Sequence, residues 1–321
     1  MKVTVVIQAR TGSTRLPGKV LLHAAGATLL ERMVERVCAA RTPSEVVIAT
    51  TELAADDAIV GLARRAGVAC VRGHATDCLD RHVAAARATS ADAVVKIPSD
   101  CPLIDPDTID RVIGAFLTED DIDYASNLHP PTWPDGFDVE IMTRGALETA
   151  WREATRPLDR EHTTPFLWDN PERFTTLDVR WQTGLDYSQS HRLVLDYAED
   201  YAVIRAVYDE LWSAGRTFTL NDILALLDAR PALAQANAMH RGISWIQNHL
   251  GELRPLAHPR APLPELPRRG LAGPPRRGVL EVPRPGPRHG RRRDRPQGAG
   301  PRRRRPRGQE RSAAPSSAGP A

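Results

Sequence analysis

The sequence predicts an α/β protein with a mostly parallel sheet that helices cover on both faces. Short apolar runs rich in β-branched residues alternate with amphipathic stretches from residue 3 onward, and this alternation is typical of βαβ units. Hydrophobic residues occupy 41% of the 321 positions, which is enough to build a sizeable core. In a sheet of this kind, ligands bind beside the carboxyl ends of the strands.

The first half of the chain shows the clearest alternation. We predict strands at 3–7, 46–51, 68–72 and 93–97, and helices at 29–37, 56–65, 77–88 and 109–116. Two polar segments, 8–19 and 99–105, directly follow the first and the fourth of these strands. We therefore expect the functional site at these two segments.

The second half is less regular after residue 120. We predict strands at 138–142 and 191–196, and helices at 146–154, 162–168, 199–212 and, as a pair, across 220–249. The predicted organisation is a main domain over 1–212 with an inserted substrate lobe at about 125–180, and then a helical extension over 213–250.

Residues 251–321 have a different composition. Eighteen of the chain's 43 basic residues lie there, all of them arginine, against five acidic residues, and isoleucine and the aromatic residues are missing. So little apolar surface cannot offset the entropy of ordering, so we predict disorder. The arginine runs could bind nucleic acid or another polyanion. Because no aromatic residues lie among the arginines, we favour a dispensable tail. Out-of-phase translation of a GC-rich reading frame would produce such a tail.

The rest of the chain, 1–250, is acidic overall, with 25 basic and 35 acidic residues. It contains no apolar stretch of 18 residues, and its first residues do not show the charged, apolar and small-residue pattern of a signal peptide. We therefore expect a cytoplasmic protein without a membrane partner. The four cysteines have neither zinc-type spacing nor the density of a disulfide scaffold, so we expect them to be reduced and mostly structural.

The segment QARTGSTRLPGK, residues 8–19, concentrates positive charge after the first strand. A turn that contains glycine points backbone N–H groups into one concavity, and a following helix would add its positive end. One phosphate does not need the three cations Arg10, Arg15 and Lys19, so the segment predicts polyphosphate binding. Five residues rather than four separate its glycines, and a valine follows the lysine, which excludes a P-loop.

Two aspartates at the ends of apolar runs are candidate metal ligands. Asp100 lies in PSDCPLID and Asp196 in RLVLDYAED. Mg²⁺ at a polyphosphate site is usually held by one or two carboxylates together with the phosphates. Asp105 precedes a proline at the start of a predicted helix, so we expect it to cap that helix.

Five segments, in this order, resemble the cytidylyltransferases that activate acidic sugars: VVIQARTGSTRLPGKVL, IPSDCPLID, DGFDVEI, REHTTPFLWDNPERF and LVLDYAEDY. The resemblance covers about residues 1–212. It is strongest to the spore-coat polysaccharide branch, which is homologous to CMP-3-deoxy-manno-octulosonate synthetase and acylneuraminate cytidylyltransferase. It implies a Rossmann-like nucleotide-diphospho-sugar transferase fold, in which 1–212 is the nucleotidyltransferase domain and the inserted lobe binds sugar and forms a dimer.

The resemblance also implies a reaction. CMP would be transferred from CTP to an acidic sugar of the nonulosonate or octulosonate kind, with release of pyrophosphate, in surface polysaccharide or glycan synthesis. The sugar hydroxyl, activated by Mg²⁺, would attack the α-phosphorus in line and would need no dedicated base. The same fold using GTP or UTP, a non-catalytic member of the fold, and nucleic-acid binding through the tail remain alternatives.

Motif positions carried over from the family give the predicted site. The nucleotide would contact Gln8, Ala9, Arg10, Gly12, Ser13, Arg15 and Lys19. The catalytic set would be Arg10, Arg15, Lys19 and Asp100, and Mg²⁺ would bind Asp100 and Asp196. The sugar-binding candidates are Asp138, Glu140, Arg160, Glu161 and His162. We expect a homodimer, because relatives often pair through the inserted lobe, and Trp133, Trp151 and Trp168 would suit an interface or, equally, a core.

Overall fold

The central sheet of the computed structural model has seven strands within the described residues, which are 1–243, 245–249 and 251–253. The order across the sheet is β5-β4-β1-β6-β8-β7-β9. These strands are β1 (Val3–Gln8), β4 (Glu45–Thr51), β5 (Ala69–Gly73), β6 (Ala93–Pro98), β7 (Tyr124–Ser126), β8 (Glu140–Thr143) and β9 (Thr176–Asp178). A separate hairpin pairs β2 (His23–Ala24) with β3 (Ala27–Thr28).

Helices connect these strands and complete the described part of the chain. They are α1 (Leu29–Cys38), α2 (Asp57–Ala66), α3 (Cys78–Thr89), α4 (Pro106–Thr118), α5 (Arg144–Glu153), α6 (Pro157–His162), α7 (Pro165–Trp168), α8 (Ala198–Leu211), α9 (Leu220–Ala229), α10 (Pro231–Gln235) and α11 (Trp245–Asn248). Short 3-10 turns occur at Lys19–Leu21, Ala54–Asp56 and Ala238–His240.

The predicted α/β fold is confirmed. β5, β4, β1 and β6 pair in parallel, and Val5 of β1 lies between Val46 and Val95 in the registers with its two neighbours. Only β8 runs antiparallel to its neighbours in the sheet. One buried apolar cluster packs on each face, so the central strands are buried on both sides, as parallel strands require.

The predicted helix cap at Asp105 is confirmed. Asp105 is the N-cap of α4, and its carboxylate accepts hydrogen bonds from the backbone N–H groups of Asp107 at 3.2 Å and Leu220 at 2.6 Å. The second bond joins the start of α9 to the start of α4. One capping residue therefore fixes both helices against the sheet.

The tryptophans proposed for an interface are not exposed. Trp133 and Trp168 are 3% and 5% exposed and belong to the two apolar clusters. Trp151 is half-buried, and its Nε1 donates a hydrogen bond to Asp80 at 2.9 Å. Of the two roles that suit these residues, the structure supports the core, and the homodimer stays a prediction.

Three predicted elements of the second half are wrong. Residues 191–196 form no strand among the described residues: this extended segment instead donates from Leu193 N to the Asp135 carbonyl and from Leu195 N to the Asp100 carbonyl. The helix predicted at 162–168 is split into α6 and α7 because Thr163 has a φ of 73°. The helical pair predicted across 220–249 is instead α9 followed, within the described residues, by the short α10, a 3-10 turn and the short α11. Pro231 ends the hydrogen bonding of α9 because it has no N–H to donate.

Other sequence predictions meet the structure only in part. The region 125–180 extends the central sheet through β7, β8 and β9. All described residues belong to one unit of the chain. The predicted disorder of 251–321 lies outside the described residues, apart from 251–253. The four cysteines are free, and no helix in the described part is long and apolar enough to cross a membrane.

Gly136 should be essential for stability. Its φ is 104°, and a Cβ there would lie 2.5 Å from the carbonyl carbon of Leu193 and 2.6 Å from Val194 N. We expect Gly136→Ala to lower the free energy of unfolding by about 2 kcal/mol or more, measured by urea denaturation. Gly114→Ala in α4 is the control, because a Cβ there meets no atom of the described residues within 4 Å, and it should stabilise the protein by about 0.5–1 kcal/mol. Equal effects of the two changes would refute this account.

Asp178 should destabilise the fold as pH rises. Its Oδ2 is buried without a hydrogen-bond partner among the described residues, and burial raises the pKa of Asp178 to about 7. The unfolded value is about 3.9, so the folded state binds the proton more tightly, and stability falls between about pH 4 and pH 7. Allowing for its partial exposure to solvent, Asp178→Asn should add about 1–2 kcal/mol to the free energy of unfolding at pH 8 and far less at pH 4.

A matched change on the surface separates this effect from a general loss of negative charge. Asp209 pairs with Arg205 at 3.4 Å on α8, and both side chains are about half-exposed. Asp209→Asn should change the free energy of unfolding by less than about 0.5 kcal/mol at either pH. A pH-independent effect of Asp178→Asn, measured by urea denaturation, would contradict the assignment.

Candidate functional site

A cavity of about 410 Å³ lies at the carboxyl ends of β1 and β6. Its wall brings together thirteen of the predicted site residues: Gln8, Ala9, Arg10, Gly12, Ser13, Arg15, Lys19, Asp100, Asp138, Glu140, Glu161, His162 and Asp196. The remaining predicted residue, Arg160, does not line this cavity. Its guanidinium pairs with Asp77 and donates to the Trp151 carbonyl, so it joins α6 to the start of α3.

The phosphate-loop candidate, residues 8–19, is anchored by Asp56. The Asp56 carboxylate accepts from Thr11 N at 2.7 Å and from Thr11 Oγ1 at 2.6 Å. The loop closes where Gly18, with a φ of 67°, donates its N–H to the Thr11 carbonyl at 3.0 Å. The expectation that a helix start supplies positive charge to this loop is wrong, because a 3-10 turn and the β2-β3 hairpin precede α1. Positive charge at the loop therefore comes from side chains.

Lys19 joins the two predicted metal ligands. Its Nζ lies 3.3 Å from Asp100 Oδ2 and 3.0 Å from Asp196 Oδ1, and it donates to the Leu195 carbonyl at 2.8 Å. Only 12% of the Lys19 side chain is exposed. Burial alone would lower the pKa of Lys19, but the two carboxylates outweigh burial and raise it. The ammonium therefore stays charged between two carboxylates.

Asp196 is held ionised by several cations. Arg15 Nη2 lies 2.7 Å from Asp196 Oδ1, and Arg192 Nη2 lies 3.5 Å from Oδ2. Burial would raise the pKa of Asp196, but Lys19 and then Arg15 and Arg192 lower it overall. Arg15 from the loop and Asp196 from the far segment are thus in direct contact, although 181 positions separate them in the chain.

Arg192 and Asp200 position Asp196, and sequence analysis missed both. Arg192 Nε and Nη2 donate to the two oxygens of Asp200 at 2.9 Å each. Asp200 Oδ2 also accepts from the backbone N–H groups of Asp196 and Tyr197 at 3.0 Å each. Arg192 Nη1 also lies 3.1 Å from Asp135 Oδ2. An arginine beside a run of apolar residues was the available sign of a buried ion pair.

The cavity wall carries an excess of carboxylates near Asp100. Burial raises the pKa of Asp135 to about 7. The charge of Arg192 lowers this pKa, and the charges of Asp100 and Asp196 raise it further. Burial and then the neighbouring Asp135 and Asp100 raise the pKa of Asp138 well above its usual range. Carboxylates that repel one another in this way favour protons or a cation among them. Sequence analysis found Asp138 but not Asp135.

Glu140 supports the cavity rather than offering a free carboxylate. One oxygen of Glu140 pairs with Lys96, and the other accepts from the Tyr124 hydroxyl at 2.6 Å. Burial would raise the pKa of Glu140, but Lys96 and Tyr124 are among the groups that lower it overall. A lysine in the apolar strand β6 was the sequence sign of this buried pair.

His162 is packed between aromatic groups. Its ring stacks on that of Trp245, with centroids 3.9 Å apart and planes 10° apart. Burial, followed by the charges of Lys96 and His249, lowers the pKa of His162 to about 3. The ring is therefore neutral at physiological pH, so it can make hydrogen bonds and packing contacts but cannot supply a proton from an imidazolium.

Comparisons with known proteins identify the family of the chain. Residues 4–226 match the family described as Cytidylyltransferase. The solved structure of a cytidylyltransferase from Leptospira borgpetersenii is 34% identical, covers 73% of this chain and 97% of that chain, and has a TM-score of 0.68.

Two further relatives cover different shares of the chain. The spore coat polysaccharide biosynthesis protein SpsF of Bacillus subtilis is 29% identical over 236 residues, which are 71% of this chain and 95% of that protein. The 3-deoxy-manno-octulosonate cytidylyltransferase of Anaeromyxobacter dehalogenans is 44% identical over 117 residues, 36% of this chain and 47% of that enzyme. The chain therefore belongs to the cytidylyltransferase family and is a nucleotidyltransferase.

Proposed function

We propose that the protein transfers CMP from CTP to a hydroxyl group of an acidic sugar and releases pyrophosphate. The observation that carries this proposal is the convergence of Arg10, Arg15 and Lys19 with Asp100 and Asp196 on one cavity. The names of the related SpsF and 3-deoxy-manno-octulosonate proteins support a sugar acceptor in polysaccharide synthesis.

The loop cations would bind the triphosphate. Arg10 has a loose partner, with its Nη2 3.7 Å from Glu161 Oε1, and 43% of its side chain is exposed. Arg15 is similarly exposed at 41% while it touches Asp196. The Arg10 pair is a surface ion pair and contributes at most about 1 kcal/mol, so phosphate oxygens can replace Glu161 as its partner at small cost. Asp196 is only 9% exposed, but it keeps Lys19 and Arg192 as cationic neighbours when Arg15 turns to the phosphates.

The donor set fits Mg²⁺ held jointly by protein and substrate. Within the described residues, no group of three or more His, Cys, Asp or Glu side chains is arranged to hold a metal alone. Asp100 and Asp196 nevertheless converge on one cation, the Lys19 ammonium. Mg²⁺ typically takes one or two carboxylates and completes its shell with water and phosphate oxygens. When bound, it would neutralise negative charge on the phosphates.

The protein's own groups then account for the transfer. As the sugar hydroxyl oxygen forms a bond to the α-phosphorus, its proton passes to solvent. The bond from that phosphorus to the oxygen that bridges it to the β-phosphorus breaks, and pyrophosphate leaves. Arg15 and Lys19 would stabilise the charge that develops on the leaving group. Asp138 lines the cavity, and burial together with Asp135 and Asp100 raises the pKa of its carboxyl well above the usual range; this side chain would hold the acceptor by a hydrogen bond.

The first test measures pyrophosphate release from CTP, GTP, UTP and ATP, each with Mg²⁺ and a panel of acidic sugars that includes 3-deoxy-manno-octulosonate. We expect release with CTP alone, because the family match is to cytidylyltransferases. Release with GTP or UTP instead would retain a nucleotidyltransferase but refute the choice of CTP. A wild-type protein that binds no triphosphate in the presence of Mg²⁺ would overturn the proposal.

Asp100→Asn should abolish most of the activity. The change keeps the shape of the side chain but removes the negative charge beside Lys19, and we expect kcat/KM to fall by about 100-fold or more. Asp107→Asn is the matched control, because Asp107 is 72% exposed on α4 and only pairs with Arg41 at 3.4 Å. Similar kcat/KM values for the two variants in the pyrophosphate assay would remove Asp100 from the proposed site.

A further inference from the structure

The chain beyond α9 returns to the cavity and supplies part of its wall. Gly242, Ile243, Trp245 and Ile246 line the same cavity as the loop cations and the two aspartates. The family match ends at residue 226, so these four residues lie beyond the matched region. The sequence predicted a helical extension here but no contribution to the site.

Hydrogen bonds fix this segment to the support of Asp196. Asn237 Nδ2 donates to the Arg192 carbonyl at 3.0 Å and to Asp200 Oδ1 at 2.9 Å. Arg192 Nη1 in turn donates to the Ile243 carbonyl at 3.1 Å. The arginine that positions the predicted metal ligand therefore also holds the start of the returning segment.

Aromatic packing fixes the next part of the segment. Trp245 stacks on His162 and lies 6.3 Å, between ring centroids, from Trp168 of α7. Trp168 packs in turn against His129, at 4.5 Å between ring centroids, just after β7. Arg156 Nη1 donates to the Glu252 carbonyl at 3.0 Å. The segment thus lies against the part of the molecule built around β7 and β8.

The returning segment completes a part of the cavity wall that the loop cations do not supply. The phosphate-binding candidates follow β1, and Asp100 follows β6, which separates β1 from β8 in the sheet. The remaining wall comes from residues near β7 and β8, such as Asn127 and Asp138, and from the returning segment. With the loop cations assigned to the triphosphate, this wall borders the space left for the acceptor.

We propose that Ile243, Trp245 and Ile246 form the acceptor-side wall and that the stacked pair of His162 and Trp245 determines which sugar ring fits. A flat aromatic surface packs against the C–H-rich face of a sugar ring, and its removal enlarges the space in which the ring must be held. This inference rests on the proposed function, because it assigns the acceptor half of the same site.

Trp245→Ala is the direct test, with the sugar of the panel that gives the fastest pyrophosphate release as the acceptor. We expect the KM for this sugar to rise about tenfold or more, while the Kd for CTP with Mg²⁺, measured by calorimetry, changes less than about twofold. Trp245→Phe should raise this KM less than Trp245→Ala does. Met239→Ala is the matched control in the same extension, since Met239 is 66% exposed and does not line the cavity.

A second readout needs no turnover. Hydrogen exchange of the peptide spanning 238–249 is compared in the complex with CTP and Mg²⁺, before and after each sugar of the panel is added. We expect protection that depends on sugar and is weakened by Trp245→Ala. An unchanged acceptor KM, the absence of any sugar-dependent protection, or a tenfold loss of CTP affinity in Trp245→Ala would overturn the acceptor wall. Failure of the proposed function is distinguishable, because the wild type itself would then bind no triphosphate.

Discussion

The ion cluster around Lys19 is the constraint on which the geometry of the site depends. Lys19 and Asp196 have side chains only 12% and 9% exposed, and buried charges are costly unless each has a partner in good geometry. The cluster satisfies this condition only when the loop after β1, the turn after β6 and the segment before α8 meet. The same contacts therefore hold the three segments together and bring the charged groups of the site to one place.

The sheet topology makes that meeting possible. β1 and β6 are adjacent and parallel, with Gln8 opposite Pro98 at their ends, so the residues that follow them leave the sheet side by side. Asp196 does not follow a strand of the sheet. It lies on an extended segment that is hydrogen-bonded to the Asp100 carbonyl, and Arg192 pairs with the Asp196 carboxylate. A Cβ at position 136 would collide with this segment. The close approach of the two segments therefore depends on Gly136.

The parts of the site that sequence could predict are those that local pattern determines. Lys19 and Asp100 lie in the polar segments that follow two apolar strands, and their motifs resemble a known family, so both position and chemistry could be inferred. The roles of Arg192 and Trp245 depend on partners far away in the chain, such as Asp135 and His162, and no local pattern specifies those partners. The same reason explains the strand wrongly predicted at 191–196: its apolar run is that of a strand, but its backbone hydrogen bonds go to loops.

The two aspartates bridged by Lys19 form the proposed site for a metal-bound triphosphate. Calorimetric titration of CTP into the wild-type protein and into an Asp100→Asn, Asp196→Asn double variant, with and without Mg²⁺, tests this site. We expect Mg²⁺ to strengthen CTP binding by about tenfold or more in the wild type and to have no effect in the double variant. Equal CTP affinity with and without Mg²⁺ in the wild type would contradict this proposal.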